Sequence, residues 1–168
     1  MRPSCQILSV QDCQTSQELL RLALSNLPDD EGRFELMTAN RPSIAKALLS
    51  EPSRSLPQLI LMSWEFINGE TGAQFLRAVK ANPAWAPIPV LVLTSGLPRA
   101  AKQQIYEDQA ACVLESPADW HGWVTVAERI QQFWHTTSTS PSPRRACIST
   151  PSAAAPTRGR LLAHAAGR

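Results

Sequence analysis

Short apolar runs that recur between amphipathic stretches constrain this chain more than any other feature. Gln6-Ile7-Leu8-Ser9-Val10, Leu59-Ile60-Leu61-Met62, Ile88-Pro89-Val90-Leu91-Val92-Leu93 and Ala111-Cys112-Val113-Leu114 are nearly continuous in apolar character. A strand with one wet face alternates instead, so these runs read as strands covered on both sides. Phe34-Glu35-Leu36-Met37 supplies one more short strand. Between them, apolar residues return at helical spacing: Leu19, Leu20, Ala23, Leu24 and Leu27; then Ile44, Ala47 and Leu48 within residues 43–50; then Phe75, Leu76 and Val79 within residues 72–81. Pro98 opens a fourth helical stretch running to about Asp108, and Trp120, Trp123, Ala127, Ile130 and Trp134 mark a fifth, read as packing residues. Five strand–helix units in alternation predict a doubly wound, five-stranded parallel sheet with helices on both faces, because parallel neighbours need crossovers that cover the sheet.

Local signals set the expected boundaries. Thr15 or Ser16 is placed to cap the first helix and Pro28-Asp29-Asp30-Glu31-Gly32 to end it. Asn68-Gly69 is a turn, Asn82-Pro83 stops the third helix, Pro89 stands at the start of the fourth strand, and Asp119 caps the last helix. Residues 1–135 then form one domain. Residues 136–168 are rich in Ser, Thr, Pro and Ala and poor in large apolar groups, so they are expected to be a disordered tail.

Charge divides the same way. The chain carries a net +2, but the tail holds Arg144, Arg145, Arg158, Arg160 and Arg168 with no acid, which leaves the body at a net −3. An acidic body argues against a nucleic-acid-binding domain. No apolar run approaches the roughly 18 residues of a membrane span, and no signal-type segment follows Met1-Arg2-Pro3-Ser4, so a cytoplasmic protein is expected. Cys5, Cys13, Cys112 and Cys147 lie far apart without a C-x-x-C pair and read as reduced structural thiols. His121, His135 and His164 are equally scattered, and no metal motif is visible.

Three segments carry a family resemblance: Leu59-Ile60-Leu61-Met62-Ser63, Val92-Leu93-Thr94-Ser95 and Leu114-Glu115-Ser116-Pro117. With the five strand–helix units, they resemble the receiver domains of two-component response regulators, of the flavodoxin-like, CheY-like type, over residues 5–135. Residues 75–83 and 132–134 are most similar to small stand-alone receivers that partner bacterial phytochromes and other sensor kinases. The resemblance implies a crevice at the carboxyl ends of the strands. It also implies two Mg²⁺-binding acids after the first strand, where this chain has Gln11 and Asp12, and a phosphoacceptor aspartate after the third, where it has Ser63. Thr94 matches the switch hydroxyl, Ser116 stands at the position of the family's lysine, and Val113 at its aromatic switch position.

A degenerate receiver is thus implied, one that cannot form an aspartyl phosphate. An alcohol is a far weaker nucleophile than a carboxylate and adds no charge to a cation. Asp12, and Glu65 in a loop one residue longer than usual, are the acids left near the site, so no cofactor is expected and Mg²⁺ binding at useful affinity is not. Trp64 is either a contact anchor for a partner or a plug for the vacated pocket. The hydroxyls of Ser63, Thr94, Ser95 and Ser116 are expected to meet in the crevice and bond one another and water. The implied partners are a sensor kinase, a phosphotransfer protein, another receiver or a second copy of the chain, met through the face formed by the fourth and fifth helices. The alternative is a nucleic-acid or acidic-surface binder that uses the arginine tail, its contacts sequence-independent and salt-sensitive, with the body as a dimerisation unit. A hydrolase built on Ser63 lacks the G-x-S-x-G context.

Overall fold

The protein is described from a computed structural model, and the residues described are 4–28 and 33–138. Elements run β1 (Cys5–Val10), α1 (Gln14–Ser25), β2 (Phe34–Ala39), α2 (Pro42–Leu49), β3 (Leu59–Ser63), α3 (Gly72–Ala81), β4 (Val90–Thr94), α4 (Arg99–Glu107), β5 (Cys112–Glu115) and α5 (Trp120–Ser138). Every paired strand is parallel, in the order β2-β1-β3-β4-β5.

Strand parity sorts the core into two layers. Leu8, Val10, Ile60, Met62, Val90 and Val92 point to one face and meet Ala45 and Leu49 of α2, Phe75, Leu76 and Val79 of α3, and Ile105 of α4. Ile7, Leu59, Leu61, Leu91 and Leu93 point to the other and meet Leu20, Ala23 and Leu24 of α1 with Trp123, Val126, Ala127 and Ile130 of α5. Full burial of a side chain such as Phe75 or Ile130 stabilises by roughly 1.5–3 kcal/mol. Two such layers require the three central strands to be apolar on both faces.

Several expected details shift. α1 starts at Gln14 with Cys13 as its N-cap, ahead of Thr15 and Ser16. It ends through Asn26, whose Nδ2 donates to Leu22 O at 2.8 Å, before Pro28 is reached; residues 29–32 lie outside those described. β2 is two residues longer than expected, since its pairing with β1 continues through Ser9–Thr38 and Val10–Ala39. β4 begins at Val90; Pro89 contributes its carbonyl, which accepts from Ile60 N–H at 3.0 Å. On α2 the buried positions are Pro42, Ala45 and Leu49, while Ile44 is 41% exposed and Ala47 exposed too. Ile44, Ala45, Ala47, Leu48 and Leu49 leave the helix apolar almost all round, so either offset satisfies the pattern and docking decides. Trp120, expected to pack, is 39% exposed because it begins α5 at the sheet's rim, whereas Trp123 is buried and Trp134 partly so. α5 continues through Ser138, past the expected start of the tail at 136; the rest of that tail, with Cys147 and His164, lies outside the described residues.

α4 ends in a tight reversal. Gln109 N–H donates to Tyr106 O at 3.0 Å and Ala110 N–H to Ile105 O at 3.2 Å, with Ile105 and Ala110 both buried. This is the Schellman arrangement, whose left-handed position belongs to glycine. Here Gln109 occupies it at φ 71°. Just beyond, Val113 N–H donates to the Tyr106 hydroxyl oxygen at 3.2 Å.

Three predictions follow from this architecture. A left-handed glutamine costs roughly 1–2 kcal/mol, of which glycine gives back roughly 0.4–1 through its freer unfolded chain. Gln109→Gly is therefore expected to stabilise by about 0.5–1 kcal/mol in urea denaturation, and an unchanged or lower midpoint would contradict this reading. The thiols separate as well: burial pushes Cys5 from 9.0 up to about 12, whereas Cys13 is exposed. Cys13 makes no capping hydrogen bond, but the nearby Ser16 hydroxyl, and then the Ser16 N–H, favour the thiolate and lower its pKa. Iodoacetamide labelling of the folded protein is expected to reach Cys13 at a pH where ordinary thiols are still protonated and to spare Cys5. The Cys5 shift also means that stability falls as pH rises from 9.0 towards 12, because there the folded state keeps a proton that the unfolded chain releases.

Candidate functional site

Four strand ends, those of β1, β3, β4 and β5, bring the expected site residues to one edge of the sheet. Ser63 is the last residue of β3, in register with Leu93. Thr94 ends β4 in register with Glu115, and Ser116 N–H donates to Thr94 O at 2.8 Å. Gln11 and Asp12 follow β1 directly.

Gln11 is 2% exposed and structural in its contacts. Its Nε2 donates to Ser9 Oγ at 2.9 Å, and its backbone N–H to Ala39 O at 3.0 Å. Gln17, on the first helix, donates from Nε2 to Gln11 O at 2.6 Å and to Ala39 O at 3.0 Å, so one amide ties the ends of β1 and β2. Sequence reasoning missed Gln17: a glutamine on an amphipathic helix carries no signal that it reaches back to two strands. An amide suits position 11 because it donates to Ser9, which an ionised carboxylate cannot do.

Asp12 is partly buried, and its Oδ2 accepts the Ile67 N–H at 2.7 Å. Glu65 is exposed; its backbone pairs with Thr71 in an antiparallel bridge that closes the loop between β3 and α3. Inside that loop, Gly69 takes φ 81° and donates its N–H to Phe66 O at 3.3 Å. Gly72 packs the start of α3 so closely on β3 that a Cβ there would sit 2.8 Å from Trp64 O and 2.9 Å from Met62 Cε. Among the described residues, no three of His, Cys, Asp and Glu are grouped to hold a metal ion.

The hydroxyls are brought together but do not form one network. Thr94 is fully buried and its Oγ1 has no hydrogen-bond partner, whereas Ser95 and Ser116 are exposed and Ser63 partly buried. The expected bonding among them is therefore absent at Thr94, whose side chain points into the protein. Trp64 is partly buried and packs against the core layer of α2, α3 and α4; its N–H donates to Leu93 O at 2.8 Å. A cation does reach these strand ends from another element: Lys102 Nζ on α4 lies 3.5 Å from Glu115 Oε1. His121 is exposed in the first turn of α5 and His135 lies in its last turn, at the opposite end of the sheet, so among the described residues no histidine base is paired with Ser63.

No protein-family model and no curated protein matches the chain. Solved structures do. The phosphorylated cyanobacterial phytochrome response regulator RcpA is 25% identical, with 83% of this chain and 100% of that one covered and a TM-score of 0.72. The Mn²⁺-bound form of response regulator Rcp1 is also 25% identical, over 77% of this chain and 94% of its own, with a TM-score of 0.67. A response regulator from Desulfuromonas acetoxidans shares the fold at 18% identity, over 79% and 98%, with a TM-score of 0.61. The likenesses to RcpA and Rcp1 support a role in two-component signalling. With five parallel strands in this order and these likenesses, the chain has the fold of a response-regulator receiver domain.

Proposed function

We propose that the chain is a degenerate receiver of two-component phosphorelay signalling that works in the cytoplasm by protein–protein contact and catalyses no reaction. The observation that carries this reading is Ser63 at the carboxyl end of β3, where the receiver resemblance implies the phosphoacceptor aspartate. Three further features support it. Gln11 turns inward onto Ser9, Asp12 is engaged by the Ile67 N–H, and Ser116 replaces a lysine, so the strand ends carry little charge with which to bind Mg²⁺ or a phosphoryl group. RcpA was crystallised phosphorylated and Rcp1 with Mn²⁺, which makes the contrast with this chain chemical rather than architectural.

A switch responds only to something that binds its two states unequally. With phosphorylation lost, the partner itself takes that role: a sensor kinase, a phosphotransfer protein, another receiver or a second copy. The face formed by α4 and α5 suits such a contact, since Tyr106 on α4 and Trp120 on α5 are 42% and 39% exposed. Half-exposed aromatics of this kind are common interface anchors.

Incubation with acetyl phosphate and Mg²⁺, followed by Phos-tag electrophoresis and intact mass spectrometry, is expected to give no adduct. A stoichiometric, hydroxylamine-labile adduct would overturn the reading. For the contact itself, capture from a panel of purified sensor kinases, phosphotransfer proteins and receivers is expected to be lost in Trp120→Ala at unchanged thermal stability. Capture as strong as wild type would remove α5 from the interface.

A further inference from the structure

Asp12 and Ile67 stand fifty-five residues apart in the chain, yet Asp12 Oδ2 and Ile67 N are 2.7 Å apart, a short distance for an N–H donating to a carboxylate. The loop between β3 and α3 is otherwise tied to itself and to its own strand. Its ends pair as Glu65 with Thr71, Gly69 N–H donates to Phe66 O, Glu70 N–H to Asn68 Oδ1 at 3.2 Å, and Gly72 N–H to Trp64 O at 3.1 Å. Phe66 is buried and pins one side of the loop. Ile67, next in sequence, is 94% exposed, so packing does nothing to fix it. Among the described residues, the bond that the Ile67 N–H donates to Asp12 is the hydrogen bond that joins residues 66–70 to another strand's end.

We propose that Asp12 is a positioning residue: its carboxylate straps the β3–α3 loop to the end of β1 and holds Ile67 at the loop tip, without the help of a cation. The chemistry of the surroundings favours this role over ion binding. Gln11, the neighbouring residue, turns its amide into the protein, Glu65 is exposed, and no group of three potential ligands is assembled. A divalent ion drawn to the strand ends would pull on the same carboxylate that the Ile67 N–H already engages. The strap is a single hydrogen bond, set by one acid and one backbone amide. It rests on this loop alone and stands whether or not the chain signals as proposed above.

Amide hydrogen exchange followed by NMR on the full chain, at fixed pH and temperature, tests it. The Ile67 amide is expected to be protected in the wild type, and its protection to fall roughly tenfold in Asp12→Ala, as for loss of one charge-assisted hydrogen bond. The amides of Ile7 and Leu8 in β1 should not change. Asp12→Asn keeps an oxygen acceptor but no charge and should fall between. Millimolar Mg²⁺ should leave the wild-type rate of Ile67 unaltered. Equal Ile67 rates in wild type and Asp12→Ala overturn the proposal, as does a change of the wild-type rate on adding Mg²⁺, which would make Asp12 an ion ligand. If Asp12→Ala also loosens β1, the asparagine variant decides, with unchanged Ile67 protection counting against the strap and reduced protection for it.

Discussion

Burial of β1, β3 and β4 from both sides is the constraint on which the rest of the molecule depends. A strand in this position is apolar on both faces except where a polar side chain such as Ser9 finds a partner, exchanges its backbone hydrogen bonds with neighbours on both edges, and is entered by crossovers that lie over one face or the other. The helices are consequences of that demand. α1 and α5 cover one layer; α2, α3 and α4 cover the second. The ends of the same strands are where polar residues collect, with Gln11 and Thr94 buried and Ser63 partly so.

The ends of β1, β3 and β4 carry an amide and two hydroxyls, those of Gln11, Ser63 and Thr94, with the carboxylate of Asp12 beside them. A cluster of carboxylates and a lysine in a half-buried crevice is costly to desolvate and has to be held by a cation or by mutual pairing. Here the Asp12 carboxylate accepts from a backbone N–H, and the Gln11 amide donates to a buried serine. Thr94 is the exception, a buried hydroxyl with no partner at the strand end next to Ser63.

Much of this was legible in the sequence, for definable reasons. Runs such as Leu59 to Met62 admit only a doubly covered strand, and the five-unit alternation left few topologies to choose among. Ser63, Thr94 and Ser116 could be located because each sits at a fixed distance from such a run. Contacts across the chain were not legible. Gln17 bonding the ends of two strands, and Asp12 bonding Ile67, depend on where loops pass in space, and neither residue type announces a long-range partner. The face of α2 was misread for a different reason: a helix apolar nearly all round has no periodic signal to orient it, and packing chose Ala45 and Leu49.

The two edges of the sheet are not equivalent. β5 is short, and one of its outward N–H groups, that of Val113, is already taken by the hydroxyl oxygen of Tyr106. β2 runs six residues and pairs on one side with β1. An uncovered strand edge is a template on which a foreign strand can grow, and shortening or occupying it is how folded proteins keep from adding to one another. Tyr106 therefore occupies one position on the β5 rim, whereas β2 is the longer of the two edge strands.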